Sequence, residues 1–172
     1  GLWWRPFLEL RRATTQAVCR DVGLEWWDDP HNTDDRFLRP RIRHRVMPVL
    51  EEQMGPGVAE ALARTGRLIR DDLDELDRQA WTLARSLGDG LEWGRIPVST
   101  LRVSPRPLAS RLVRIVAQES IDSHLTEVHT DQVLRLVTHW SGQASVDIPA
   151  GRVERQGDVL RVIPDSGRYR RE

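Results

Sequence analysis

Apolar residues recur at spacings of three and four through one long stretch of the chain and alternate with polar residues through a later one, so helices are expected first and strands afterwards. From Val58 to Leu87 the positions Leu62, Thr65, Ile69, Leu73, Leu76, Ala80, Leu83 and Leu87 keep the helical spacing, and all but Thr65 are apolar. That pattern predicts one long amphipathic helix, with Gly66 as the place for a bend. Upstream, Thr14 or Thr15 is expected to cap a short helix ending near Asp21, and Gly23 to close it in the left-handed conformation. The run WWDDPHNTDD from Trp26 reads as a loop, because Asp before Pro, Asn and paired Asp favour turns. Pro40 suits the first turn of the next helix. That helix carries Ile42, Val46, Val49 and Leu50 on one face and should stop near the Gly-Pro-Gly of residues 55–57.

The chain changes character after Gly90. RIPVSTL reads as a strand, and the following helix takes Ser104 as its cap and Pro105 as its first position, with Leu108, Leu112, Ile115 and Val116 on a face. A second helix is expected over about Thr130 to Trp140. ASVDIPAG, RVERQGD and VLRVIPD alternate apolar and polar residues around Gly151 and Gly157 and predict a small antiparallel sheet. The fold class expected is α+β: a helical N-terminal part with a long amphipathic helix, then a small α+β domain with an antiparallel sheet.

Composition narrows the functional classes. A chain of 172 residues, 39% apolar and 30% charged, can bury a core of ordinary size. No apolar run reaches the roughly 18 residues of a membrane span and no signal peptide is evident, so no membrane partner is expected and the cytoplasm is the default location. Cys19 is the lone cysteine, and the five histidines have no partner at a familiar zinc spacing, so no structural metal is expected. Net charge is zero, hence any anionic partner must be held by a local patch. Residues 71–92 are acidic, with 2 Arg against 7 acids, whereas both flanks carry 12 Arg against 10 and 9 acids. All 26 basic residues are Arg, whose forked donors suit phosphates, although a GC-rich genome would give the same usage.

The densest charge lies between Trp26 and Pro48. Arg36, Arg39, Arg41, Arg43 and Arg45 fall within ten residues, just after Asp28, Asp29, Asp34 and Asp35. On a helix beginning near Pro40, Arg41 and Arg45 share a face and Arg43 points elsewhere. Two readings stay open: a salt-bridged loop that pins a helix, or a set of arginines of which some face a ligand. Trp26 and Trp27 can stack on an unstacked base, with at least one of them expected in the core instead. Trp3 and Trp4 are expected to be covered by a further domain. Arg102, Arg106, Arg111 and Arg114 near one helix make a modest basic row.

The ordered set Asp29-Pro30-x-Asn32-x-Asp34-x-x-Phe37-x-Arg39-x-x-Ile42-Arg43, then Val46 and Pro48-x-Leu50, resembles the segment that closes the ATP-using domain of the tRNA(Ile)-lysidine synthases. The approach WRPFLELRR and VCRDVGLEWWDD and the continuation GPGVAEALARTGRLIRDDLDELD are similar to that family as well. One departure is Pro40, where the family usually has Asn. The family's phosphate loop, Ser-Gly-Gly-x-Asp-Ser, does not occur in the sequence. The resemblance therefore implies the C-terminal half of such an enzyme, lacking the N-terminal PP-loop ATP-binding domain. The implied division is 1–57 as the tail of that domain, 58–88 as a helical linker and 89–172 as an α+β tRNA-binding domain.

The resemblance implies a ligase that uses ATP and Mg²⁺, bound mainly by the missing domain, to join free L-lysine to C2 of the wobble cytidine of a tRNA(Ile) with a CAU anticodon. The product changes codon specificity from methionine to isoleucine. Substrate or tRNA contacts are expected from Asp29, Asn32, Asp34, Arg36, Arg39, Arg41, Arg43 and Arg45, and no complete catalytic set is expected in this chain. Arg39 and Arg43 are assigned to polyphosphate or the anticodon loop, Asp29 and Asn32 to shaping the loop or facing the lysine. A homodimer is a further expectation. Alternatives are a tRNA-binding subunit working with a separate ATP-binding half, and a helical protein-interaction module with no RNA role.

Overall fold

Where the apolar spacing is helical, the chain is helical, but it buries far less than the pattern invites. The computed structural model describes residues 6–7, 10–142 and 145–165, apart from the side chain of Glu92. Two compact units result, Gly1–Arg64 and Thr65–Glu172.

In the first unit, α1 spans Arg12–Asp21. Neither Thr14 nor Thr15 caps it: Arg11 stands at the N-cap without a side-chain bond, and the Thr15 hydroxyl donates to the Arg12 carbonyl at 2.8 Å inside the first turn. The end is as expected. Gly23 takes φ +69°, its N–H donates to Arg20 at 3.2 Å, and the N–H of Leu24 reaches back to Cys19 at 2.8 Å, which satisfies the last carbonyls in a Schellman arrangement. A 3₁₀ turn at Pro30–Asn32 interrupts the loop. The next helical run is α2 (Leu38–Arg41), a π turn (Ile42–Val46) and α3 (Met47–Met54), so it begins two residues before Pro40. Ile42, Val46 and Val49 are exposed rather than buried.

Helix α4, Val58–Arg85, is continuous through Gly66, about 42 Å long at 1.5 Å per residue. Its apolar stripe divides. Leu62, Ile69 and Leu73 are exposed and Leu76 is half-buried, whereas Ala80 and Ala84 are fully buried and Trp81, Leu83 and Leu87 pack against the core.

That core belongs to the second unit. After a turn of helix, α5 (Asp89–Glu92), come β1 (Arg95–Pro97), α6 (Val98–Val103), α7 (Arg106–Ile121), α8 (Glu127–Thr138) and the strands β2 (Ser145–Ile148), β3 (Gly151–Gln156) and β4 (Val159–Pro164). The antiparallel sheet has the order β1-β4-β3-β2, with Ile96 opposite Leu160 and Val153 opposite Val162. Leu112, Val113 and Val116 of α7 and Val133 and Leu136 of α8 pack with Ile96, Val153 and Leu160 into one cluster. The α+β expectation holds, with three shifts. RIPVSTL is strand only to Pro97; Val98 and Leu101 then bury one face of a helix. Ser104 does not cap α7: Pro105 takes the N-cap position, while the Ser104 hydroxyl donates back to Thr100 at 2.7 Å. Helix α8 starts three residues early because Thr126 and His129 form a reciprocal capping box.

Gly151 opens β3 where no side chain fits. A Cβ there would lie 2.2 Å from the Ile163 carbonyl oxygen and 3.0 Å from Ile121 Cδ1, so the cross-strand backbone itself requires glycine. Arg155 ties the sheet to α8. Its Nη1 donates to the Leu136 carbonyl at 2.7 Å while its guanidinium lies 4.2 Å from the Trp140 ring centroid, which satisfies a last-turn carbonyl and adds a cation–π contact.

Candidate functional site

The charged segment is organised by short-range bonds. Asp29 accepts the His31 backbone N–H at 2.9 Å and its Oδ1 lies 2.8 Å from His31 Nδ1, capping the 3₁₀ turn. The backbone bond first, and the ring bond with it, hold the Asp29 carboxyl below its usual range. His31 also meets Phe37 edge-on, with centroids 5.4 Å apart. Asp34 is held harder. The Arg36 guanidinium reaches it through Nε at 3.0 Å and Nη2 at 2.7 Å, and the Arg36 backbone N–H adds a bond at 3.0 Å. These bonds hold the Asp34 carboxyl down to about 2.

The π turn explains how the following helix meets this loop. Pro48 has no N–H, and in a regular α-helix its ring would collide with the His44 carbonyl four residues earlier. The ladder widens instead, with the Met47 N–H donating to the Ile42 carbonyl, five residues back. Within this segment His44 Nε2 lies 3.2 Å from the Asn32 carbonyl oxygen, and Arg45 reaches Asp35 through Nε at 2.7 Å and Nη2 at 2.5 Å. Arg41 and Arg45, expected to act as one face, differ in partners. Arg45 is paired, whereas Arg39, Arg41 and Arg43 make no ion pair with a described residue.

The eight residues singled out in the sequence therefore fall into two groups. Asp29, Asn32, Asp34, Arg36 and Arg45 are joined to one another's neighbours by local bonds, and Arg39, Arg41 and Arg43 leave three guanidiniums unmatched among the described residues. His31, His44 and Arg12, which pairs with Asp28, were not singled out. Only the Asp-x-His spacing of residues 29–31 hinted at one of them. The tryptophan expectation fails: Trp26 is 41% exposed and Trp27 is 77% exposed, so neither is core. Trp3 and Trp4 lie outside the described residues. The row on α7 is largely engaged, Arg106 with Asp131 at 2.7 Å, Arg111 with Asp77 at 2.5 Å and Arg114 with the Thr130 hydroxyl at 3.3 Å. Among the described residues no cluster of His, Cys, Asp or Glu is placed to hold a metal ion, and no helix is long and apolar enough to cross a membrane.

Residues 2–50 match the model of a PP-loop domain. A tRNA(Ile)-lysidine synthase of Leifsonia xyli subsp. xyli is 44% identical over 166 residues, covering 95% of this chain and 50% of that protein. Nearly the whole chain is thus similar to part of that synthase. The enzyme of the same name from Thermobifida fusca is 41% identical over 165 residues, again covering 95% of this chain and 50% of the relative, and that of Mycobacterium tuberculosis is 42% identical over 147 residues, covering 85% and 46%. The chain thus spans about half the length of these curated relatives. The expectation that it lacks the PP-loop domain is corrected in part. A portion of that domain is present over residues 2–50, and what the sequence does not contain is the Ser-Gly-Gly-x-Asp-Ser run.

The Asp34–Arg36 fork gives a pH expectation. A carboxylate held below its ordinary 3.8 contributes stability that is fully present above 3.8 and is lost as pH falls through its folded value of about 2. Titrating the Asp34 carboxyl by NMR should give a midpoint near 2, returning towards 3.8 in Arg36→Ala. A midpoint unchanged by that substitution would show that the backbone bonds alone set it.

Proposed function

We propose that this chain is part of a tRNA(Ile)-lysidine synthase, in which residues 1–57 close the ATP-using domain, 58–88 form a helical linker and 89–172 contact the tRNA. The observation that carries the reading is the division of charge in residues 28–45. Asp28, Asp29, Asp34 and Asp35 are each engaged locally, so the loop holds its own shape, while Arg39, Arg41 and Arg43 stand without a described carboxylate partner. Guanidiniums left over from a matched loop suit polyphosphate or RNA phosphate, to which they donate in forked, charge-assisted bonds.

In the proposed reaction the C2 oxygen of the wobble cytidine in a tRNA(Ile) with a CAU anticodon attacks the α-phosphorus of ATP with release of pyrophosphate, and the ε-amine of free L-lysine then displaces AMP at C2 and gives up a proton. The contribution of this segment is electrostatic. Arg39 and Arg43 meet phosphate charge as it shifts from the nucleotide to the leaving AMP, Arg41 supports them, and Asp29 and Asn32 fix the loop on which they are mounted. Mg²⁺ finds no fitting donor set in this segment, since Asp34 and Asp35 are committed to Arg36 and Arg45. Magnesium binding is accordingly assigned to the phosphate-loop part of the enzyme.

The test is ATP-dependent transfer of radiolabelled lysine to a tRNA(Ile) transcript with a CAU anticodon. The chain joined to an ATP-binding half that carries the phosphate loop should catalyse transfer, and the chain alone should not. No transfer by the joined protein would overturn the function, whereas transfer by the chain alone would overturn the division of labour.

A further inference from the structure

A groove in the second unit, outside the charged segment, is walled by the end of α6, the start of α7 and the end of α8. It encloses about 620 Å³. Arg102, Arg106, Arg135 and His139 line it against one carboxylate, Asp131, in a chain whose net charge is zero. Asp131 bonds Arg106 at 2.7 Å, while Arg102 and Arg135 make no ion pair with a described residue. The groove also receives the N-terminus of the 16-residue helix α7, where Arg106 takes the first helical position and Pro107 the second. Pro107 has no N–H, and the N–H groups of Leu108 and Ala109 donate to the Pro105 carbonyl at 2.9 and 3.0 Å, so the helix adds the positive end of its dipole to the guanidinium charge.

We infer that this groove seats a backbone phosphate of RNA. The inference rests on the RNA reading above and extends it to a specific site. The groove's hydroxyls are engaged close by: Ser104 donates to the Thr100 carbonyl at 2.7 Å, and Thr138 Oγ1 lies 2.8 Å from His139 Nδ1 and 3.3 Å from the Leu134 carbonyl oxygen. The two guanidiniums without an ion pair, Arg102 and Arg135, suit the forked, charge-assisted bonds that phosphate oxygens accept, a contact that positions RNA.

The test compares the chain with its Arg102→Ala/Arg135→Ala double variant, measuring affinity for a tRNA(Ile) transcript across a salt series. Each phosphate contact adds about 0.7 to 0.9 to the slope of log K against log salt. The double variant should lose about 1.4 to 1.8 of slope and bind at least about tenfold more weakly at low salt. Its melting temperature should be unchanged, and Lys at both positions should restore the slope. An unaltered slope in a variant that binds RNA overturns the groove alone. So does a slope loss accompanied by a lower melting temperature that Lys does not rescue. If the unsubstituted chain shows no salt-dependent RNA binding, the RNA reading falls and the groove with it. A parallel titration with AMP separates the sources of phosphate: AMP-induced NMR shifts confined to Arg102 and Arg135, with an unaltered RNA slope, would make this a mononucleotide site and overturn the RNA assignment.

Discussion

Arg43→Ala, made in a protein that joins this segment to a complete ATP-binding domain, is expected to lower kcat/KM for lysine transfer about 10²-fold, the scale set by removing one donor aimed at developing charge. The same substitution should move the melting temperature by less than about 2 °C, as for a surface change that breaks no structural bond. The two halves of the expectation come from one observation: Arg43 has no ion-pair partner among the described residues, so its removal strands no carboxylate. Arg36→Ala is the matched control. It removes the guanidinium bonds to Asp34 and leaves only the backbone N–H bond of residue 36, and its effect should appear in loop order and in the Asp34 titration before it appears in turnover. Kinetics per folded molecule, alongside thermal melts, separate these outcomes. A large fall in melting temperature for Arg43→Ala with normal turnover would return Arg43 to the fold and remove the support for an arginine-lined phosphate site.

The difference between Arg36 and Arg43 was not legible in the sequence. Five arginines after four aspartates allow many pairings, and the choice depends on where the loop brings the helix. Arg45 finds Asp35 ten positions away only through the course of residues 35–45, which includes the π turn. That turn was hidden as well. Ile42, Val46, Val49 and Leu50 fit an ordinary helical period, and only the steric demand of Pro48 on the His44 carbonyl signals the extra residue. The order of helices and strands was legible because period 3.6 and period 2 are local properties. The stretch after Pro97 misled for a related reason: the β-branched Val98 and Thr100 favour strands, but burying Val98 with Leu101, three positions apart, against the core decides for helix. Burial itself was the least legible quantity. Trp26, Ile42 and Leu62 are as apolar as any core residue, yet each is at least 40% exposed.

Leu112→Ala should cost about 2 to 5 kcal/mol of stability, the range for deleting a fully buried leucine and leaving part of its cavity. Leu112 is 0% exposed and stands on α7 in the cluster formed with α8 and the sheet. Leu73→Ala should cost less than about 1 kcal/mol, because Leu73 is 44% exposed and much of the deleted surface already faces water. Both sit in the second unit and both occupy helical positions, so the comparison isolates burial from helix propensity, in which Ala is the more favourable residue. Urea unfolding followed by helical CD reads the difference as a lower midpoint at unchanged slope for Leu112→Ala and a small shift for Leu73→Ala. A stability loss at Leu73 equal to that at Leu112 would mean that the apolar stripe of α4 is covered in solution. Concentration-dependent melting would then trace the cover to a second copy of the chain, since mass action raises the stability of an associated state. Equal melting at all concentrations, with the small cost at Leu73, would leave the stripe facing water.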